Sequence, residues 1–373
     1  MTLRTAVVGG GTVSGVHLDG LSLNPRTELV AICDTDEAVA RGIAEEYDIA
    51  PFFDVAAMLE ELELDWLHVC TPVQTHLPIA KLAIDAGIPV QIEKPITETY
   101  AEFQELAEYA REHGVTVSEK HNHCFDPAVR TATKKLREGE LGDVRGVDVI
   151  YTGCSRPDDP NRGPWNLELA GGEFEEGIPH PLYLTLRVGG YPRSEDAVQA
   201  TTALFDEYDR DFTYDGTQLQ YVTDDGVLCT TKILGGTRPV RQILIHAEEC
   251  SLTVDLLSQT VIEHDRDYKR SGATRALNNV DGAVDRLTGT VANARAVARR
   301  ARMSGDWDTL RLLNAHYYQN DAESRALEAG DPDAMPVPLS ESRWTSYLME
   351  EIRETAAADR AEPEGRRLEA DGE

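Results

Sequence analysis

Near the N-terminus, Thr5-Ala-Val-Val8 runs directly into Gly9-x-Gly11-x-x-Ser14, and a second apolar run over residues 29–33 ends in Asp34. An apolar strand, a glycine turn, a helix and a second strand closing on an acid form an ordered set that few folds satisfy. Glycines at 9 and 11 let the backbone turn sharply and approach a pyrophosphate, whose charge is stabilised by the unpaired N–H groups that open the next helix. A carboxylate about 20 residues further on is placed to accept bonds from ribose hydroxyls. The residues predicted to hold a dinucleotide here are Gly9, Gly11, Thr12, Val13 and Asp34, with Ser14 as the third small residue. Asp34 repels a 2′-phosphate and no Arg follows it until Arg41, so NAD is expected in preference to NADP.

The first third of the chain continues to alternate. Helical patterns over residues 15–23, 36–47, 55–62, 75–86 and 99–113 separate strand-like runs at 29–33, 66–70, 90–93 and 115–118. Such alternation predicts an α/β fold with a doubly wound parallel sheet. Two strand ends carry something extra: Thr71-Pro72 leads to His76, and Glu93-Lys94-Pro95 follows the run at 90–93. Ligands bind beyond the carboxyl ends of strands in such sheets, so Thr71, Pro72, His76, Glu93 and Lys94 are expected on the nicotinamide side of the cleft.

From about residue 144 the texture changes to seven runs rich in β-branched and aromatic residues, two of them joined by Asp224-Asp225-Gly226. That turn reads as a hairpin, and the region as an α+β domain with a mainly antiparallel sheet, open on one face. An uncovered apolar sheet face predicts assembly into a homodimer or homotetramer. Residues 284–303 read as a solvated amphipathic helix, with an interface or lid helix as the alternative. The boundaries drawn from sequence are a dinucleotide-binding domain at 1–122, a substrate-binding and oligomerisation domain at 123–350, and a disordered acidic tail at 357–373.

The formal net charge is −30, from 66 acidic against 36 basic residues, and only 7 of the basic residues are Lys. A field of that sign repels nucleic acid and anionic membranes, which excludes both as partners. The acids are spread along the whole chain, a pattern suited to high salt, where screening relieves self-repulsion. No apolar stretch approaches the roughly 20 residues of a membrane helix and no signal-peptide pattern precedes the first strand, so a cytoplasmic protein is expected. The six cysteines form no C-x-x-C pair, which favours buried free thiols. His121, His123 and Cys124 lie too close together in an extended segment to face one ion, so no metal is expected.

Gly9-Gly-Gly11, Thr71-Pro72 with His76, Glu93-Lys94-Pro95, Gly142, and Trp165 followed by Gly171-Gly172-Glu-Phe-Glu-Glu176-Gly-Ile-Pro-His180 together resemble the glucose–fructose oxidoreductase / inositol dehydrogenase / rhizopine-catabolism family of NAD(P)-dependent oxidoreductases. The likeness runs over about 1–350. It implies an N-terminal Rossmann domain, a C-terminal domain whose open sheet mediates assembly, and hydride transfer at a carbohydrate-like alcohol or ketone. Oxidising such an alcohol needs a base within reach of the hydroxyl, for which His180 is the candidate, its ordinary pKa lying near working pH. Lys94 supplies positive charge where alkoxide character develops. Glu176, four residues before His180, shares its face if the segment is one helix and then orients the imidazole or holds a substrate hydroxyl. Asn122, His123 and Trp165 are the expected substrate contacts.

Three departures from the family pattern bear on the pocket. Glu176 stands where Asp is usual, Cys124 where an Arg is common, and Ile178 where Gly is common. The second departure predicts a missing cationic contact to substrate, and together they keep open a catalytically inactive NAD(P)-binding sensor or regulatory protein of the same fold.

Overall fold

The computed structural model of the chain describes residues 2–159, 161–265, 272–304 and 315–361. Its first layer is a parallel sheet built from β1 (Leu3–Val8), β2 (Thr27–Cys33), β3 (Ala50–Phe52), β4 (Trp66–Val69), β5 (Val90–Ile92) and β6 (Val117–Glu119), in the order β3-β2-β1-β4-β5-β6. The helices α1 (Ser14–Leu23), α2 (Glu37–Tyr47), α3 (Val55–Glu61), α4 (His76–Asp85) and α5 (Tyr100–His113) connect these strands. This is the doubly wound order whose switch point lies between β1 and β4. Local chemistry sets the helix ends. Asp36 caps α2 by accepting from the N–H groups of Ala38 and Val39. Thr99 and Glu102 form a reciprocal capping box on α5, which stops at Gly114 with φ of 66°. Strand β3, only three residues long and containing Pro51, was not anticipated. It is an edge strand held by pairing with β2 rather than by its own propensity.

After α6 (Pro127–Arg137), a second sheet comprises β7 (Val144–Cys154), β8 (Gln199–Ala203), β9 (Gly216–Val222), β10 (Leu228–Gly235), β11 (Arg241–Ala247), β12 (Ser251–Asp255) and β13 (Thr260–His264). Its order is β13-β12-β11-β7-β10-β9-β8, antiparallel except for the β7–β10 pair. One face buries Val147, Val149, Tyr151, Ile243 and Ile245 beneath α8 (Pro179–Gly189) and α11 (Leu339–Ala361), which supply Leu182, Tyr183, Leu348 and Ile352. The short α7 (Gly172–Gly177) precedes α8.

The uncovered face differs from expectation. Alternation places Asp148, Gln218, Gln220, Thr230 and Lys232 there beside Ile150, Leu228, Leu234 and Leu244, so polar and apolar side chains are mixed on it. A regular apolar stripe lies on α9 (Gly272–Ser304), where Leu277, Val280, Val284, Leu287 and Val291 are exposed at successive spacings of three and four residues. That helix turns its small and polar side toward β13, with Gly282 and Gly289 facing Ile262 and Thr260. The boundary at 350 and the tail from 357 are also corrected. Residues 357–361 complete α11, and 362–373 lie outside the described residues. Helix α10 (Ala315–Ala329) packs on α1, so the chain returns to the first domain after completing the second. Among the described residues no helix is long and apolar enough to cross a membrane.

Candidate active site

Beyond the carboxyl ends of β1 and β4 lies a cleft of about 730 Å³ whose walls include Gly9, Gly11, Thr12, Val13, Asp34, Thr71, Pro72 and Trp165. Gly9 has φ of 95°, and a Cβ there would sit 2.7 Å from the carbonyl oxygen of Cys70. Only glycine fits that crossing. A Cβ on Gly11 would meet nothing within 4 Å, so this glycine leaves the cleft open to a close-lying ligand. The first turn of α1 has no side-chain cap; the Ser14 and Val16 N–H groups donate to the Gly11 and Val13 carbonyls, and the positive end of the helix dipole remains at the cleft for an anion. Asp34 accepts from the backbone N–H of Gly10 at 2.6 Å and of Asp36 at 2.8 Å. A carboxylate has about four acceptor sites, so ribose hydroxyls still find lone pairs on it. These features fit a dinucleotide: a concave glycine turn, an open helix N-terminus and an acid at the far wall.

Lys94 follows β5, and its peptide bond to Pro95 is cis. Its buried ammonium pairs with the Glu176 carboxylate and donates to the Glu176 carbonyl at 2.8 Å. The same carboxylate meets Arg162 Nη1 at 2.5 Å. The extra methylene of Glu over Asp thus reaches two cations. Glu173 joins them, 3.6 Å from Arg162 and hydrogen-bonded by Asn166. Burial and the neighbouring Glu176 carboxylate push Glu173 up to about 7. Burial lowers the Lys94 pKa, and the Glu176 charge opposes that shift.

His180 lies beyond a break in the helix. Glu176 belongs to α7 and His180 to α8, with Ile178 and Pro179 at the junction, so the pair does not share one helical face. Glu176 does not orient the imidazole. Tyr183 does, with its hydroxyl 2.7 Å from His180 Nδ1. Tyr183 donates its one proton to Asn122 Oδ1 at 3.1 Å and accepts from the His123 N–H at 3.2 Å. In this arrangement His180 Nδ1 donates to Tyr183, which leaves the lone pair on Nε2. Burial, reinforced by the charges of Lys94, His123, Arg162 and Arg241, pushes the His180 pKa well below its ordinary value. The imidazole is neutral and able to accept a proton.

Several predicted residues serve the site from behind. His76 is buried, with Nδ1 2.9 Å from the Pro95 carbonyl and Nε2 2.9 Å from the Thr71 carbonyl. It braces the two turns together instead of lining the cleft. Glu93 likewise turns inward. Burial opposes its ionisation, but the His17 ring at 2.6 Å and the charge of Lys94 hold its carboxyl well below the usual range. Asn122 is 8% exposed and positions Tyr183. His123 is held by Asp126 at 2.7 Å and meets His180 edge to face, with ring centroids 4.7 Å apart. His121 lies elsewhere, between Glu119 and Glu341 at 2.9 and 2.7 Å. Burial opposes its charge, yet the two carboxylates raise it to about 9. Cys124 and Ile178 are buried in the core of the second domain. Among the described residues, the donor atoms of His17, Glu93 and His316 gather within 4.8 Å of one another, a juxtaposition no local sequence pattern announced.

Arg162, Glu173, Tyr183 and Arg241 escaped the sequence reading. Only Arg241 left a visible signal, a charge opening the alternation continued by Ile243 and Ile245.

Residues 3–121 match a family described as an oxidoreductase family with an NAD-binding Rossmann fold. Among curated proteins, D-glucoside 3-dehydrogenase of Escherichia coli is 32% identical over 197 residues, covering 51% of this chain and 55% of the relative. The dTDP-3,4-didehydro-2,6-dideoxy-alpha-D-glucose 3-reductase of Streptomyces violaceoruber is 30% identical over 198 residues, covering 52% and 57%. The matched stretch spans about half the length of these relatives. Among solved structures, the WlbA dehydrogenase of Bordetella pertussis, in complex with NADH and UDP-GlcNAcA, superposes with a TM-score of 0.71 at 20% identity over 96% of each chain. The UDP-N-acetylglucosamine 3-dehydrogenase GnnA of Acidithiobacillus ferrooxidans gives 0.70 at 20% identity over 96% of this chain and 99% of that one. These structures share the two-domain fold. Through residues 3–121, which carry the glycine turn and Glu93-Lys94-Pro95, the chain is similar to the glucose–fructose oxidoreductase / inositol dehydrogenase / rhizopine-catabolism family.

Proposed function

We propose that this protein is an NAD-dependent dehydrogenase or reductase acting on a CH–OH group of a sugar, polyol or related ketone. The observation that carries the reading is the bridge from Lys94, at the end of β5, to Glu176 beside the corner that presents a neutral His180. NAD bound in the cleft supplies the two-electron acceptor. His180 Nε2 takes the proton from the substrate hydroxyl, and Tyr183 holds the ring while it does so. The Lys94 ammonium stabilises the negative charge that grows on that oxygen, in a buried setting where one charge counts for more than in water. Glu176 keeps the ammonium in place and is itself held by Arg162, while Trp165 lines the cleft. Asp34 favours NAD over NADP, for it repels a 2′-phosphate.

Self-assembly into a dimer or tetramer belongs to the same reading, supported by the exposed apolar stripe on α9, spaced as in a coiled-coil seam. The net charge of −30 supports adaptation to salt, because molar KCl screens repulsion to about 3 Å. Incubation with NAD or NADP and a panel of sugars, inositols and sugar acids, at low and high KCl, tests the whole proposal by NADH absorbance and light scattering. Reduction of NAD by at least one carbohydrate is expected, with oligomer content rising with salt. Tight NAD binding without turnover across a broad panel overturns the enzymatic reading in favour of a sensor.

A further inference from the structure

Alternation along β11 puts residues 241, 243 and 245 on the helix-covered face of the second sheet. Ile243 and Ile245 are fully buried there. Arg241 opens the same row, where the pattern calls for an apolar side chain. Its partner across the ladder is Tyr151, 3% exposed, and the guanidinium carbon sits 4.4 Å above the Tyr151 ring. That ring in turn stacks toward His180, with centroids 6.5 Å apart. Arg241 therefore stands at the end of the sheet that faces the reacting centre, close enough for its charge to act on the imidazole.

What sets it apart is the absence of a counter-charge. Other guanidiniums around the site are matched: Arg162 by Glu176, Arg187 by Glu341 and Arg353 by Glu175. Among the described residues Arg241 makes no ion pair, and its Nε, shielded from water, has no hydrogen-bond partner. Acids outnumber bases 66 to 36 in this chain, so a carboxylate was the easiest neighbour to supply. A buried donor left unmatched is costly, and beside the imidazole a partner from outside the chain would satisfy it.

We propose that the substrate is an anionic carbohydrate, and that Arg241 binds its carboxylate or phosphate while the reacting carbinol lies between Lys94 and His180. This rests on the dehydrogenase reading of the same site. The planar guanidinium fork matches two oxygens of either anion, and the Tyr151 face fixes the plane of the fork. The anion supplies the counter-charge that the guanidinium lacks among the described residues, and it anchors the far end of the substrate.

The test uses the full chain with NADH bound and compares D-gluconate, D-glucuronate and D-glucose 6-phosphate with the neutral D-glucose and myo-inositol by titration calorimetry. Turnover with NAD is measured on the same set. At least one anionic probe is expected to bind tenfold or more tightly than its neutral counterpart. Arg241→Met should raise its Kd by ten- to a thousandfold and leave the neutral probes unchanged, with Arg241→Lys in between. The carboxylate and phosphate arms identify which anion is meant. Equal binding of charged and neutral probes by the wild type, or an anion preference that survives Arg241→Met, overturns the proposal. Melting curves verify that the variants fold, and Arg241→Lys, which keeps the charge and loses the fork, carries the test if the Met variant does not. Anion binding that depends on Arg241 without any NADH formed instead breaks the dehydrogenase reading. NADH formed from neutral sugars with no dependence on Arg241 breaks only this one.

Discussion

The two halves of the cleft are built in opposite ways. On the dinucleotide side, recognition rests on backbone: a glycine with φ of 95°, an uncapped helix end and one carboxylate, contributed by residues within about 25 positions of one another. On the substrate side it rests on side chains from distant segments. Lys94 meets Glu176 across 82 positions, and His180 is held through Tyr183 by Asn122, 61 positions away from that tyrosine. Backbone recognition tolerates side-chain exchange but no change of path, whereas a side-chain constellation fails with one atom misplaced. The first half is therefore general to many dinucleotide enzymes and the second particular to one substrate.

The sharpest way to break this comparison is to remove the two reacting groups. His180→Asn should lower kcat by about 10²–10⁴, and Lys94→Ala by at least as much, while NAD affinity measured by fluorescence quenching changes little in the His180 variant. Near-normal turnover in either variant removes that residue from its assigned role. A smaller effect is expected at the dinucleotide side. Hydrogen bonds to a charged acceptor contribute about 1.5–3 kcal/mol, so Asp34→Ala should weaken NAD binding roughly ten- to a hundredfold and narrow the gap to NADP. Equal NAD and NADP affinity in the wild type contradicts the assignment.

The smallest effect separates charge from shape on the substrate side. Glu173 has a folded pKa of about 7, above its ordinary 4.5, so the native state holds a proton that the unfolded chain has already released. Stability then falls as pH rises between 4.5 and 7 and stays at the lower level above it. Glu173→Gln should abolish that slope, so that the variant gains melting temperature relative to wild type at pH 8 and not at pH 4.5. A difference between the two proteins that is constant with pH shows that Glu173 is already ionised across the range.

Most of the first domain was legible in the sequence because its signals are local. Capped helices at α2 and α5, apolar strands and the Gly9 turn each satisfy rules that hold within a few residues. At the candidate site, residue types could be read from the sequence but their partners could not. Lys94 and His180 sit in the predicted half of the molecule, yet His76, Glu93 and Asn122 act as braces behind it. Glu176 was paired in sequence with His180 and is paired in space with Lys94, because Pro179 restarts the helix and turns the two residues apart. Arg241 meets Tyr151 beside His180 although the two residues lie ninety positions apart. Residue spacing carries no information about such a meeting.

By itself the sequence determined the doubly wound sheet, the dinucleotide turn and the strand-rich second domain, all consequences of periodicity and backbone conformation. Only the tertiary structure decided that His180 is a neutral imidazole oriented by Tyr183, that Arg162 and Glu173 flank the Lys94–Glu176 pair, and that α9 carries an exposed apolar stripe. Protonation and partnership depend on burial and on charges brought together by packing, and these quantities have no value until the chain has folded.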